Sequence, residues 1–362
     1  MRYLKKGYLI PFAFITIVSV FFLACSRNED TPSLPDPTPF ALTFPAYFDA
    51  PVIPPDNPTT WEGVALGRRL FYEPLLSGDN TQSCGSCHNI DFAFTDNNFQ
   101  FSTGIQNIQG DRNGMAIINL AWETDFFWDG RSKSLEDQAL GPVENPVEMH
   151  EVWTNAVKEL SDHPEYPSLF QKAFGTKAIT KELAAKAMAQ FERTIISSNS
   201  AYDENYLKKA KTNESIKNPK TALERGMTIF YTKGDCWHCH GPVGDYLFTD
   251  RTFHNNGLDS IITDPGLQSV TKNPMDRGKF KTPTLRNVQY TGPYMHDGRF
   301  KTIDEVIEHY NSGVKLSPTL DPNMKELAKG LQLTSVEKAE LKEFLLSLSD
   351  QTFINNQNFK KP

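Results

Sequence analysis

Two pentads of the same pattern carry most of the chemistry in this sequence. Residues 84–88 read CGSCH and residues 236–240 read CWHCH, so in each an imidazole directly follows the second of two spaced thiols. This C-x-x-C-H spacing is typical of covalent c-type haem attachment, in which two thioether bonds hold the porphyrin and the His lies under the iron. We therefore predict two c-type haems, with His88 and His240 as proximal iron ligands.

Other uses of the same residues fit the sequence less well. Apart from Cys25, the cysteines are Cys84, Cys87, Cys236 and Cys239, and all four lie in the pentads. A zinc site needs two further Cys or His ligands at similar spacing, and a thioredoxin-like redox pair needs a βαβ setting. Disulfides are open to an exported protein, but they leave the His after each pair unexplained. His238, inside the second pentad, is predicted to be a surface residue.

The first 25 residues have the pattern of an export signal. Two lysines precede an apolar run over 8–23, which ends at LACS, residues 23–26. A positive start, an apolar centre and a small-residue cleavage site indicate a secretory signal. The Cys after Leu-Ala resembles a bacterial lipobox, which predicts lipidation of Cys25 and a lipid-anchored protein on the periplasmic side or in the cell envelope. An uncleaved anchor helix is the alternative.

Composition narrows the class of partner. The 362 residues are 39% hydrophobic and 22% charged, which is typical of a globular protein. The net charge of −7 provides no basic surface, so nucleic acid is excluded as an expected partner. A mildly acidic surface suits a basic protein partner and is equally ordinary for solubility.

An internal repeat organises the chain around the pentads. ALGRRLFYEPLLSGDNTQSCGSCH matches ALERGMTIFYTKGDCWHCH, and further on WDGRSKSLEDQ matches HDGRFKTIDEV. Each half therefore has a helix, a pentad, a loop region, a DGR turn and a further helix. The predicted organisation is a signal (1–25), a flexible tether (26–59), an N-terminal haem domain (60–215), a C-terminal haem domain (216–350) and a polar tail (351–362).

Helix signals outnumber strand signals. Thr334 with Glu337 and Thr302 with Glu305 form capping boxes, each of which predicts the start of a helix. Few segments alternate apolar and polar residues for long. The predicted fold is mostly α, with two cytochrome c-like domains, each with a covalently attached haem, and long loops.

These motifs together resemble a known family. The pentads, the repeat, FFWDGRSKSLEDQALGPVENPVEM (126–149) and TLRNVQYTGPYMHDGRF (284–300) resemble the bacterial di-haem cytochrome c peroxidases and their relative MauG, which oxidises tryptophans in a precursor protein. The resemblance covers about 60–350. It implies that the haem on His88 reacts with peroxide, and that the haem on His240 receives electrons from a small cytochrome or cupredoxin.

The resemblance also assigns roles around the first haem. Glu148 matches the family's distal glutamate, an acid-base group for cleavage of the O–O bond, and Gln138 matches its neighbouring glutamine. Trp128 matches the tryptophan between the two haems. Each residue also has a structural alternative: Glu148 as a solvated loop carboxylate, Gln138 as a helix surface residue and Trp128 as a packed indole.

A calcium site is implied at the junction of the halves. Asn113, Thr291 and Pro293 match the family's inter-domain calcium ligands, and an amide oxygen with two backbone carbonyls are the hard oxygen ligands that Ca²⁺ prefers. Water would have to complete the coordination. The alternative is an interface loop without metal.

One departure from the family pattern concerns the first haem. Many of these peroxidases block the peroxidatic iron with a loop His eight residues before the residue that matches Asn113. Here that position is Ile105, and no His lies between His88 and His150. Isoleucine cannot bind iron, so the first haem is expected to keep an open sixth position, as in MauG.

The second departure concerns the other haem. The typical peroxidase has a Met seventeen residues after the Pro that matches Pro293, and here that position is Tyr310. Helical spacing places Tyr310 on one face with Ile303, Val306 and Ile307, and rotates His309 off that face. Tyr310 is therefore the predicted iron ligand, as in MauG. The alternatives are Met275, Met295 and Met324.

Three functions follow from these expectations. The first is a di-haem peroxidase that reduces hydrogen peroxide to water with electrons from a small redox protein. The second is a MauG-like oxidase that modifies a protein partner; here a phenolate ligand would favour the ferric state and lower the potential, whereas a thioether would raise it. The third is a di-haem electron carrier, against which Glu148 and Gln138 argue.

Overall fold

Helices and loops make up almost all of the part of the chain that the structure describes. The computed structural model describes residues 37–96 and 98–362. Within these ranges the only regular strands are β1 (Phe253–His254) and β2 (Phe280–Lys281), which pair antiparallel with Phe253 opposite Lys281. No helix in the described part of the chain is both long and apolar enough to cross a bilayer. The prediction of a mostly α protein is confirmed.

The α-helices are short and separated by long loops. In chain order they are α1 (Trp61–Phe71), α2 (Cys84–Cys87), α3 (Leu135–Glu144), α4 (Trp153–Asp162), α5 (Tyr166–Phe174), α6 (Lys181–Arg193), α7 (Thr212–Lys217), α8 (Ala222–Tyr231), α9 (Trp237–His240), α10 (Gln268–Thr271), α11 (Ile303–Glu308), α12 (Pro322–Leu327), α13 (Ser335–Leu346) and α14 (Gln351–Ile354). Two π-helical turns are Asp203–Leu207 and His309–Gly313. Short 3₁₀ helices are Pro74–Leu76, Ile90–Phe92, Leu120–Trp122, Pro274–Asp276 and Gln357–Phe359.

The two halves use the same helix crossing. The helix before each pentad packs against a later helix of the same half, α1 against α6 and α8 against α13. A Cβ on Gly67 would lie 1.8 Å from the backbone oxygen of Ala187, and one on Gly226 would lie 1.8 Å from that of Glu340. Because only a residue without a side chain permits this approach, the two matching glycines fix where the helices cross.

Caps fix the starts of these helices. The Thr60 side chain accepts a hydrogen bond from the third residue of α1. The capping boxes of Thr302 with Glu305 and of Thr334 with Glu337 are both present, at the starts of α11 and α13. These two local predictions are confirmed.

Separate apolar clusters lie in the two halves. One is built on Leu66, Trp153 and Phe170, and another on Phe230 and Phe344. Because the described residues nevertheless form one compact unit, a domain boundary near residue 215 remains a prediction.

Most of the predicted tether is part of the folded unit. Phe48 is 4% exposed and packs with Trp122 and Leu247, while Thr38 donates its backbone N–H to the Glu62 carboxylate at 2.8 Å. The prediction of a flexible tether is therefore wrong for residues 37–59. The aromatic residues of this segment, which its Pro-rich composition obscures, anchor it. Residues 1–36, including Cys25 and the predicted signal, lie outside the described residues.

The expected polar tail is also packed. Phe353 and Phe359 are 2% and 6% exposed, and their rings contact that of Phe94 in the N-terminal half. The Arg68 guanidinium donates to the backbone oxygens of Gln357 and Lys360. The polar composition of 351–362 concealed two aromatic anchors, and the segment crosses to the other half of the molecule.

One ion pair is completely buried. Arg286 and Asp203 have side chains 1% and 0% exposed, and two parallel guanidinium N–H groups donate to the two carboxylate oxygens at 2.8 Å each. Burial acts to raise the pKa of Asp203, but the guanidinium and Ser200 outweigh it and hold that pKa below its usual value. This pair ties the first π turn to the loop that follows β2.

Candidate haem sites and active site

The four cysteines of the pentads are half-buried, unpaired thiols. Each pentad folds as one short helical turn, α2 or α9, and none of the four forms a disulfide. Burial raises the pKa of Cys87, Cys236 and Cys239 to about 12, and that of Cys84 further. In the described ranges no three His, Cys, Asp or Glu side chains gather as a metal-binding group. The donor set therefore suits thioether formation and not a zinc site.

Both pentad histidines are oriented in the same way. His88 Nδ1 lies 2.8 Å from the backbone oxygen of Phe94, and His240 Nδ1 lies 2.9 Å from that of Phe248. An Nδ1–H donated to a carbonyl fixes the ring and leaves Nε2 available as an iron ligand. Burial lowers the pKa of both imidazoles, which favours the neutral, ligating form. The residues present thus fit a c-type haem at each pentad.

The second pentad opens into a mainly apolar cavity. Cys236, Cys239 and His240 line it together with residues from both halves of the chain, among them Trp128, Lys281, Met295, Ile303, Tyr310 and Leu345. The Tyr310 hydroxyl accepts a hydrogen bond from the Asn256 amide at 3.3 Å. Burial raises the pKa of Tyr310 to about 12. The structure therefore brings Tyr310 into the cavity that the pentad faces.

The methionines differ in position. Met275 is 62% exposed, which removes it as a candidate ligand, whereas Met295 and Met324 line the cavity with Tyr310. The expectation that His309 turns away from the buried side is wrong, since it is 6% exposed and its Nε2 lies 3.1 Å from the backbone oxygen of Asn256. The reason is that α11 ends at Glu308 in a π turn, which breaks the 3.6-residue period.

A histidine held by two carboxylates lines the same cavity. His254 Nδ1 lies 2.7 Å from Asp321 and its Nε2 lies 2.7 Å from Asp250. Burial acts to lower the pKa of His254, but the two carboxylates outweigh it and raise that pKa, while the pKa of Asp250 falls to about 2. The cluster fixes β1 beside the pentad.

We expect this cluster to make stability depend on pH. A raised histidine pKa contributes stability that is fully present below the unfolded value of 6.5 and is lost as pH rises through the folded value. The free energy of unfolding, measured by denaturant titration at a series of pH values, should therefore fall as pH rises through that window. His254→Gln should remove this component and the exposed control His150→Asn should keep it; an unchanged pH slope in His254→Gln would contradict the assignment.

The two halves meet at Trp128. Its indole N–H donates to the backbone oxygen of Asn113 at 2.8 Å, and its own backbone oxygen accepts from the Lys281 N–H at 2.9 Å. The Asn113 N–H in turn donates to the backbone oxygen of His296 at 2.8 Å. Trp128 and His296 occupy matching positions of the repeated DGR turns, so equivalent loops of the two halves are joined through one asparagine.

The predicted calcium ligands also lie at this junction. Asn113, Thr291 and Pro293 all line the cavity of the second pentad. Asn113 is 8% exposed, and its amide nitrogen donates to the backbone oxygens of Phe99 and Gln100 at 3.3 and 3.0 Å. The three residues are thus brought together, and calcium binding itself stays a prediction.

Glu148 lies beside the first pentad. Burial is the main cause of the raised pKa of Cys84 and Cys87, and the negative charge of Glu148 adds to it; the same charge offsets part of the lowering that burial imposes on the pKa of His88. The Asn145 amide donates to Glu148 Oε1 at 2.6 Å, which fixes the orientation of the carboxylate. A half-buried, oriented carboxylate next to a proximal-type histidine is the arrangement expected of an acid-base group.

Ile105 belongs to the loop that packs on this carboxylate segment. Its N–H donates to the backbone oxygen of Glu148 at 3.0 Å. A Cβ on Gly104 would lie 2.4 Å from the backbone oxygen of Val147, so the two segments are in close contact. The sequence position at which the family resemblance leads one to expect a His therefore adjoins the Glu148 segment and holds an aliphatic side chain.

Gln138 and Glu148 are not hydrogen-bonded to each other. Gln138 is half-buried on α3. Among the described residues, the side chain that donates a hydrogen bond to the Glu148 carboxylate is Asn145. Sequence reasoning missed Asn145 as well as Asn256. The signal for Asn145 was local, an Asn three residues before the acid; nothing local pointed to Asn256.

Comparison with known proteins decides the family. The methylamine utilization protein MauG of Methylorubrum extorquens is 34% identical over 308 residues, which cover 82% of this chain and 80% of that protein. The chain belongs to the di-haem cytochrome c peroxidase family. The model of this family, described as di-haem cytochrome c peroxidase, matches residues 61–212. The cytochrome c551 peroxidase of Nitrosomonas europaea is a further relative, 35% identical over 70% of this chain and 73% of its own length.

Solved structures of the family share the fold. A MauG-like protein associated with microbial copper homeostasis superposes with a TM-score of 0.79 at 32% identity, covering 89% of this chain and 99% of that one. The di-haem peroxidase BthA of Burkholderia thailandensis superposes with a TM-score of 0.68 at 20% identity, covering 90% and 94%. The expected membership of the peroxidase and MauG family is confirmed.

Proposed function

We propose that this chain is a di-haem c-type peroxidase that reduces hydrogen peroxide to water with electrons from a small redox protein. The observation that carries the proposal is the first site, where the oriented Glu148 carboxylate adjoins a C-x-x-C-H pentad and the backbone of Ile105. Ile105 is at the sequence position where the family resemblance expects a blocking His. Family membership supports the same activity.

The residues of the first site have separate tasks. When bound, the haems supply iron that reacts with peroxide and stores or passes single electrons. Glu148 moves a proton from the inner to the outer oxygen of hydrogen peroxide, and Asn145 holds the carboxylate in position for that transfer. Ile105 leaves room for peroxide, since it cannot occupy the iron. Gln138, half-buried on α3, is proposed as a polar neighbour of Glu148 on the family resemblance alone.

The junction between the halves provides the route for electrons. Trp128 borders the cavity of the second pentad and is hydrogen-bonded into both halves, which suits an indole that bridges two haems electronically. Peroxide reduction needs two electrons and a small donor delivers one at a time. With a haem held at each pentad, Trp128 would lie between a second site that receives electrons from a cytochrome or cupredoxin and a first site that uses them.

A peroxide assay tests this function. We expect fully oxidised protein to react with hydrogen peroxide without prior reduction, because no side chain has to leave the first iron. With a reduced small cytochrome in excess, two molecules of donor should be oxidised for each peroxide consumed. Oxidised protein that is inert toward peroxide, or that reacts only after reduction by one electron, would overturn the open-site argument.

A MauG-like oxidation of a protein partner is the second candidate function. Tyr310 in the second cavity favours it, because a phenolate ligand stabilises oxidised iron and lowers the potential. A low-potential second haem accepts electrons poorly from a high-potential cytochrome and stores an oxidising equivalent well. Slow turnover with reduced cytochromes, together with a long-lived oxidised state after peroxide addition, would favour this candidate over the first.

The haem stoichiometry follows from the pentads. We expect Cys84→Ala/Cys87→Ala and Cys236→Ala/Cys239→Ala each to keep one covalent haem of two, because each pair forms the thioethers of one porphyrin. Intact-protein mass and haem absorbance per chain measure this directly. The control Ser86→Ala, inside the first pentad, should keep both haems, and a double variant that keeps both would contradict the assignment.

Three further proposals concern the surroundings of the enzyme. Asn113, Thr291 and Pro293 are proposed to bind calcium, supported by their common position at the junction. Export to the periplasmic side and lipidation of Cys25 are proposed from the sequence alone. If calcium is bound, its chelation should weaken the coupling between the haems. If Cys25 is lipidated, inhibition of lipoprotein processing by a globomycin-type compound should leave the signal peptide attached to the protein.

A further inference from the structure

The Asn256 side chain contacts two candidate sixth ligands of the second haem at once. Its amide nitrogen donates to the Tyr310 hydroxyl at 3.3 Å and to the Met295 sulfur at 3.4 Å. An amide NH₂ carries two hydrogens, so one is available for each acceptor. The Tyr310 oxygen and the Met295 sulfur therefore both lie within hydrogen-bond distance of the same Asn256 amide nitrogen. Tyr310 and Met295 also both line the cavity of the second pentad.

The surrounding structure sets the position of this amide. The backbone oxygen of Asn256 lies 3.1 Å from His309 Nε2, which donates to it. The preceding residue, Asn255, is 4% exposed, and its amide donates to Ser317 and Thr319 at 3.0 Å each. The chain just before is β1. Asn256 thus projects from a segment fixed on both sides, and its amide is preorganised.

The two hydrogen bonds have unequal strength. Hydrogen bonds to an ionised acceptor are roughly twice as strong as neutral ones, whereas a thioether sulfur is only a weak acceptor. When Tyr310 binds iron as a phenolate, the Asn256 bond to its oxygen strengthens. The hydrogen bond to Met295 does not become stronger. It occupies a lone pair of the sulfur, which would otherwise be free to compete with the Tyr310 oxygen for the iron. One amide therefore favours the oxygen ligand.

We propose that Asn256 is a positioning residue that selects Tyr310 over Met295 as the sixth ligand of the second haem. The inference rests on the assignment of Tyr310 in the proposed function. Asn256 itself does not bind iron and takes no part in the peroxide chemistry. Its effect is on the identity of the ligand, and through the ligand on the potential of the second haem.

Spectroscopy of the oxidised di-haem protein tests this choice. We compare wild type, Asn256→Leu, Met295→Leu and the double variant by electron paramagnetic resonance, by the sulfur-to-iron charge-transfer band and by redox titration of the second haem. Asn256→Leu should gain the sulfur band and a more positive midpoint potential, because a thioether raises the potential. The double variant should lose the band again, and Met295→Leu should match wild type.

The outcomes separate the inference from its premise. If Asn256→Leu keeps the wild-type signature and potential, the selecting role is wrong and Tyr310 ligation stands. If wild type already shows a sulfur band that Met295→Leu removes, the Tyr310 assignment itself fails. If Asn256→Leu does not bind haem, Asn256→Asp tests the inference in its place. This variant keeps the shape of the side chain and replaces the hydrogen-bond donor with an acceptor, so it should gain the sulfur band in the same way.

Discussion

Replacing Glu148 with Gln should lower kcat/KM for hydrogen peroxide by about 10²–10⁴-fold, the usual contribution of a positioned acid-base group. The amide keeps the size of the carboxylate and its contact with Asn145, but it cannot accept the proton from the inner oxygen and return it to the outer one. Stopped-flow mixing of oxidised protein with peroxide measures the step directly, before any electron donor is involved.

A matched control lies four residues earlier. Glu144 is the last residue of α3 and is exposed, so Glu144→Gln removes the same charge from the same segment without touching the pocket. We expect this variant to react at the wild-type rate. Haem content and the visible spectrum of both variants should be unchanged. A Glu148→Gln protein that reacts with peroxide as fast as wild type would show that the proton is moved by another group.

Asp203→Asn should destabilise the folded protein by about 3–5 kcal/mol, the cost of leaving a buried charge without its partner. Arg286 is 1% exposed, and the change removes the carboxylate to which its two terminal guanidinium nitrogens donate. Denaturant unfolding of the haem-loaded protein measures the effect. Because the pKa of Asp203 is held low, the contribution is present above the usual Asp value and is lost as pH falls through the lowered one.

Two further variants serve as controls for Asp203→Asn. Asp162→Asn breaks the pair between Asp162 and Lys158, whose side chains are 67% and 75% exposed, and should leave the free energy of unfolding almost unchanged because solvent screens an exposed pair. Removing both buried charges, as in Asp203→Leu/Arg286→Met, should recover much of the loss because no charge is then stranded. If Asp203→Asn and Asp162→Asn are equally mild, the buried pair does not stabilise the fold as argued.

Features set by neighbouring residues could be predicted from the sequence. The pentads bring two thiols and an imidazole onto one turn, and capping boxes such as Thr334 with Glu337 act over three residues. The mostly α fold follows from many such short signals. The two glycines of the helix crossings could be seen in the sequence repeat. The reason for them could not, because it is the backbone oxygen of the opposing helix, which lies 1.8 Å from where a Cβ would be.

Features that depend on distant contacts could not be predicted. Asn256 meets Tyr310 across 54 residues of sequence, and no local pattern links them. The π turn after Glu308 shifts His309 to the inside, because an inserted residue changes the helical phase. Composition was misleading at both ends, where a few aromatic anchors such as Phe48 and Phe353 outweigh many polar neighbours.

The docked C-terminal segment has a consequence for the order of assembly. Phe94, whose carbonyl holds His88, packs against Phe353 and Phe359, near the last residue of the chain. The packing behind His88 is therefore complete only when residues 351–362 have docked on the N-terminal half. A chain without residues 351–362 would still carry both C-x-x-C-H pentads, yet Phe94 would lose its contacts with Phe353 and Phe359 and be open to water.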